Sequence, residues 1–94
     1  MRELAWGASF GRVFKRRTRN NAALKARIFE ALERLADDPF HPALKTHKLS
    51  GQLAGLWACW VEYDCRIVFA FEPDPEAGED MIVLIDLGTH GEVY

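Results

Sequence analysis

The sequence predicts an α+β fold: a small single domain in the order β-α-α-β-β-β, with a twisted, mainly antiparallel sheet and an N-terminal helical hairpin packed on one face. Three observations predict it. Apolar residues recur at helical spacing between positions 9 and 37, alternate at strand spacing between 56 and 72, and run almost unbroken from 81 to 87. At 94 residues, positions 1–94 form one domain, because single domains run to roughly 100–150 residues.

Arg2-Glu3-Leu4-Ala5-Trp6 alternates and reads as a short strand. Ser9 is the expected N-cap for a helix whose apolar face is Phe10, Val13 and Phe14, with Arg12, Lys15, Arg16 and Arg19 largely off that face. Asn20-Asn21 interrupts the pattern. Leu24, Ile28, Leu32 and Leu35 then mark a second helix, widened by Ala31 and Ala36 and stopped by Asp37-Asp38-Pro39. So short a link predicts an antiparallel hairpin. Residues 37–52 hold two prolines and read as a loop with a short strand near its end. Leu56 to Tyr63 puts Trp57, Cys59, Val61 and Tyr63 on one face and Trp60 on the other. Cys65 to Glu72 puts Ile67, Phe69 and Phe71 on one face and Arg66, Val68 and Ala70 on the other, after a tight turn near Tyr63-Asp64. An acidic loop over 73–80 leads to the last strand, Met81 to Leu87, apolar enough to be covered on both faces.

Composition narrows the class. The chain is 49% hydrophobic and 28% charged, which suits a folded soluble protein. No apolar run approaches the roughly 20 residues of a membrane span, and the N-terminus lacks a signal-peptide layout. A cytoplasmic protein without membrane attachment is the expectation. Cys59 and Cys65, the two cysteines, read as buried packing residues rather than a disulfide. No metal or organic cofactor is expected; a zinc site would need further ligands beside the cysteines, and the histidines are not at finger spacing. Charge is uneven: residues 1–52 carry eleven Lys/Arg against five Asp/Glu, and residues 53–94 carry one against nine. The basic half suits nucleic acid or an acidic partner, or simply a solvated helix surface.

Three clusters can carry chemistry: Lys45, His47 and Lys48 in the loop; Asp64 and Arg66 at the hairpin; His90 and Tyr94 at the end. An antiparallel sheet lets them converge. Lysines beside a histidine suit an anionic substrate, with the ammonium groups on phosphate oxygens and imidazole moving a proton near neutral pH. Arg66 adds a bidentate clamp, and Trp60 offers a stacking wall for a base. Such a set suits metal-free RNA cleavage, with His47 and His90 as base and acid in either order and Tyr94 orienting the 2′-OH or stacking. Gly88 and Gly91 are expected to give the backbone freedom to turn His90 inwards. His41, between Phe40 and Pro42, reads as a turn residue. Each group also has a plain alternative: solvated lysines and histidines, or Arg66 paired with Asp64 or Glu62.

The run KTHKLSGQLAGLWACWVEYDCRIVFAF, the acidic loop and then IVLIDLGTHGEVY resembles the toxins of the RelE/ParE superfamily of bacterial type II toxin–antitoxin systems, most nearly the YafQ and RelE-type mRNA interferases. The resemblance implies a ribosome-dependent endoribonuclease toxin neutralised by a cognate antitoxin; the sequence does not specify the oligomeric state, and a monomer is the expectation for the free protein. It implies acid–base work for His47 and His90 with Asp64 assisting, phosphate binding by Lys45, Lys48 and Arg66, and substrate alignment by Tyr94. The chain departs from the YafQ-like pattern in carrying Trp60 and Cys65 where a histidine and a tryptophan are expected. Two rivals remain: a ParE-like gyrase inhibitor, and a non-catalytic binding module on the same fold.

Overall fold

The computed structural model describes residues 1–93. Its elements are β1 (Leu4–Trp6), α1 (Ala8–Thr18), α2 (Ala22–Asp37), β2 (His47–Lys48), β3 (Trp57–Glu62), β4 (Cys65–Glu72), β5 (Met81–Gly88) and a helical turn α3 (His90–Val93). Short 3-10 turns at Pro42–Leu44 and Gly51–Leu53 bracket β2. The strands form one sheet in the order β1-β5-β4-β3-β2. β1 pairs with β5 in parallel, and every other pairing is antiparallel. The α+β domain with its helical hairpin is therefore the one expected, with β2 as the short strand at the loop's end.

The start of α1 differs from expectation. Gly7 takes the N-cap position and Ser9 lies inside the first turn. The cause is tertiary: the Gly7 N–H donates to the Leu84 carbonyl at 2.9 Å as the chain leaves the sheet. A Cβ at Gly7 would sit 2.6 Å from that same oxygen, so only glycine fits the exit. α2 begins as read, with Asn21 Oδ1 accepting the Leu24 N–H at 3.0 Å, a cap worth about 1 kcal/mol. It ends where Asp38 turns extended before Pro39.

The hairpin buries Phe10, Phe14, Leu24, Ile28, Leu32 and Leu35 against Cys59, Ile67, Phe69, Ile82 and Leu84 of the sheet. Large-to-small truncation in such a core costs roughly 2–5 kcal/mol. Cys59 and Cys65 are free and buried. Burial pushes the Cys59 thiol up to about 12, with Cys65 adding to the rise, and burial pushes Cys65 up to about 11.

A second difference lies at the β3–β4 hairpin. Trp60 faces Arg66 and Glu62 faces Cys65, which leaves Val61 as an extra residue in a bulge. The strand ends at Glu62, so Tyr63 joins the turn and is 84% exposed instead of sharing the buried face. A bulge also interrupts the β4–β5 pairing between Val68 and Phe69. Among the described residues, no helix is long and apolar enough to cross a membrane.

Candidate active site

Sheet register brings the candidate residues together. Residues directly opposite in paired strands share a face. Trp60 of β3 lies opposite Arg66 of β4, and Arg66 lies opposite Gly88 of β5, giving one row across three strands. His90 stands two residues beyond Gly88. On the other flank, His47 of β2 lies opposite Ala58, one alternation from Trp60. The result is an open cleft of about 290 Å³ lined by Lys45, His47, Trp60, Arg66 and His90. Four cationic or proton-carrying side chains and one indole thus converge on the sheet.

Each wall has its own support. The loop before β2 is held by Phe40, whose ring meets Trp57 at 5.5 Å and Phe71 at 6.1 Å, and by the Thr46 hydroxyl, which donates to the Pro39 carbonyl. His41 Nδ1 accepts the Ala43 N–H at 3.0 Å, so His41 serves the turn, as read from sequence. Lys45 has φ +50° and ψ +40°, a left-handed conformation that costs a non-glycine residue about 1–2 kcal/mol. Lys45 Nζ lies 4.9 Å from the Trp60 ring centroid. One face of the indole therefore holds a cation at a favourable cation–π distance. His47 Nδ1 lies 3.0 Å from the Lys45 carbonyl. A carbonyl only accepts, so this contact places a proton on Nδ1 and makes Nε2 the basic nitrogen of the neutral ring.

Arg66 is anchored through one nitrogen. Its Nη1 donates to the carbonyls of Glu62, Tyr63 and Cys65 at 2.7, 2.9 and 3.2 Å. These are backbone partners, not the carboxylates of Asp64 or Glu62. Such anchoring by one nitrogen leaves the geometry for the rest of the guanidinium to meet an anion.

The other expected residues fall elsewhere. Lys48 lies opposite Trp57, one residue out of phase with His47, and its Nζ is 5.5 Å from the Trp57 ring; it does not line this cleft. The alternation of β2 sends it to the other side. Asp64 is exposed in the hairpin turn and likewise does not line the cleft. Its carbonyl accepts from Arg17 Nη2 at 3.5 Å. Tyr94 lies outside the described residues.

The end of the chain is built differently from the sequence expectation. Left-handed glycines are Gly51, Gly55 and Gly78, so Gly88 and Gly91 do not turn His90 by unusual backbone angles. Gly88 supplies space instead: a Cβ there would come within 3.0 Å of both Glu92 Oε1 and Val93 Cγ1. Thr89 and Glu92 form a capping box around α3. The Thr89 N–H donates to Glu92 Oε1 at 2.8 Å, and the Glu92 N–H donates to Thr89 Oγ1 at 3.2 Å. Arg17 of α1 adds an ion pair to the same carboxylate oxygen at 2.9 Å. The Thr89 N–H, with Arg17 and the Thr89 hydroxyl, holds the Glu92 carboxyl below the usual range. Sequence reasoning missed Arg17, Thr89 and Glu92, although the Thr-x-x-Glu spacing over 89–92 is a legible capping signal.

Comparison with known proteins places this α+β domain among the toxins of the RelE/ParE superfamily. Residues 2–94 match the family described as "Bacterial toxin of type II toxin-antitoxin system, YafQ". The chain belongs to the YafQ toxin family. Solved structures share the fold. A YoeB/ParE toxin from Agrobacterium tumefaciens is 20% identical, covering 94% of this chain and 98% of its own, with a TM-score of 0.78. YafQ from Escherichia coli is 14% identical, covering 100% and 99%, also at 0.78. The Escherichia coli DinJ–YafQ complex matches at 14% identity over 100% and 99% of the chains, with a TM-score of 0.76. No curated protein sequence matches significantly.

Proposed function

We propose that this toxin is a ribosome-dependent mRNA endoribonuclease whose site is the cleft of Lys45, His47, Trp60, Arg66 and His90. The observation that carries this reading is the convergence of two histidines, a lysine and an arginine in one cleft. His47 Nε2 removes the proton from a ribose 2′-OH, whose oxygen attacks the adjacent phosphorus. The P–O5′ bond breaks, and His90 protonates the departing 5′-oxygen. The products are a 2′,3′-cyclic phosphate and a 5′-hydroxyl, so atoms and charge balance without an external reactant. Arg66 and Lys45 hold the phosphate oxygens as charge concentrates on them. Tyr94 keeps the alignment role implied by the sequence. Asp64 and Lys48 carry no step.

The partners follow from the same reading: mRNA on the ribosome as substrate, and a cognate antitoxin. The Escherichia coli YafQ relative crystallised in complex with DinJ supports the second. Exposed Arg12, Lys15 and Arg16 on α1, Arg19 in the turn after it and Lys25 on α2 suit ribosomal RNA or an acidic antitoxin segment.

The test is brief induction of the wild type and of His90→Ala, followed by mapping of 5′ ends across cellular mRNA. The expected outcome is new in-frame cuts with the wild type and few with the variant. Growth arrest without new cuts and with gyrase inhibited would reverse the reading in favour of ParE-like action.

A further inference from the structure

We propose that Arg17 is a positioning residue that couples helix α1 to the two turns presenting Arg66 and His90. The inference rests on the cleft proposed above. α3 has four residues, too few to hold a helix by itself, because helix nucleation is unfavourable. It is held instead by the Thr89–Glu92 capping box, by buried Val93 and by the Arg17–Glu92 ion pair. His90 is the first residue of this turn. Whatever fixes Glu92 therefore fixes the backbone that presents His90.

The same guanidinium also reaches the turn between β3 and β4. Arg17 Nη2 lies 3.5 Å from the Asp64 carbonyl, while the carbonyls of Glu62, Tyr63 and Cys65 on either side of Asp64 receive Arg66. One cation thus bridges the turn that anchors the phosphate-binding arginine and the turn that carries the histidine. Arg17 is itself well placed to act as a fixed point. Phe14 and Thr18, which flank it on α1, are buried, and the Thr18 hydroxyl donates to the Phe14 carbonyl at 2.7 Å. Arg17 does not line the cleft, so its effect on substrate passes through these supports.

The experiment compares Arg17→Ala, Arg17→Lys and Glu92→Gln with the wild type. Amide hydrogen exchange of Thr89 and cleavage kinetics on programmed ribosomes are measured for each. The proposal expects Arg17→Ala to accelerate Thr89 exchange by about tenfold or more. It also expects kcat to fall about 10- to 100-fold with KM changed less than about threefold, since small misplacement costs rate rather than binding. Arg17→Lys restores part of kcat, because it keeps the charge but not both contacts. Should Arg17→Ala fail to fold, Glu92→Gln decides, with a smaller loss of the same kind expected. Unchanged Thr89 exchange together with wild-type kcat overturns the proposal. A raised KM at wild-type kcat also overturns it, as the mark of a direct RNA contact. If the wild type cuts no RNA, the proposed activity falls, and Thr89 exchange in Arg17→Ala still decides whether the latch exists.

Discussion

Replacing Arg66 by lysine separates charge from geometry at the centre of the cleft. A guanidinium has five N–H donors in a fixed fork, and an ammonium has three on a flexible stem. Arg66 commits Nη1 to three carbonyls at 2.7–3.2 Å, which leaves Nη2 and Nε for a phosphate. A lysine keeps the charge but cannot make both sets of bonds. The loss is about one charge-assisted hydrogen bond, roughly 1.5–3 kcal/mol, if that bond tightens in the transition state. At about 1.4 kcal/mol per tenfold, kcat on programmed ribosomes should fall roughly 10- to 150-fold. Arg66→Ala removes the cation as well and should fall further, by about 10²- to 10³-fold. Thermal stability should fall only modestly, because the carbonyls of exposed Tyr63 and part-exposed Glu62 can turn to water and the contact to the buried Cys65 carbonyl is the longest of the three at 3.2 Å. Single-turnover cleavage of ribosome-bound mRNA reads the rate, and a melting curve reads stability. An Arg66→Lys variant within about threefold of wild type would refute the forked-contact argument. Equal losses in the two variants would refute the separation of charge from geometry.

Two further predictions concern the fold. Gly7→Ala places a methyl 2.6 Å from the Leu84 carbonyl oxygen; the expected cost is about 1–3 kcal/mol, seen as a lower urea midpoint at unchanged slope, and an unchanged midpoint would show that β1 can shift away freely. The buried thiols predict alkaline sensitivity: both have folded values raised above the ordinary 9.0, to about 12 for Cys59 and about 11 for Cys65. Their stabilising contribution is complete below pH 9 and declines as pH rises towards those values, so Cys59→Ala/Cys65→Ala should flatten the fall in stability between pH 9 and 11 measured by urea denaturation.

Much of the framework is legible in local pattern. The four-four-three spacing of Leu24, Ile28, Leu32 and Leu35 specifies one helix face, and all four are buried. The alternation in Cys65–Glu72 separates Ile67 and Phe69 from Arg66, and the strand has those bounds. Each of the three candidate clusters sends at least one basic or titratable group into one cleft because neighbouring strands bring them side by side. Lys48 escaped this reading because its side depends on a two-residue pairing with Trp57 and Ala58, which no local periodicity encodes. The turn at Tyr63-Asp64 falls where the sequence predicts it, but the bulge at Val61 depends on pairing with β4 and is not encoded by local periodicity. Arg17 has no local signal of its role, because its partner Glu92 lies 75 positions away.

The sequence by itself determined which stretches become helix or strand, which face of each is apolar, and that histidines and cations would gather near the sheet's end. Those properties follow from side-chain spacing along a single element. The tertiary structure alone decided which cations enter the cleft, which nitrogen of Arg66 is anchored, and that Gly88 provides room rather than a turn. Register, bulges and close approaches arise from pairing between distant segments, and a one-residue change there sends every following side chain to the opposite face.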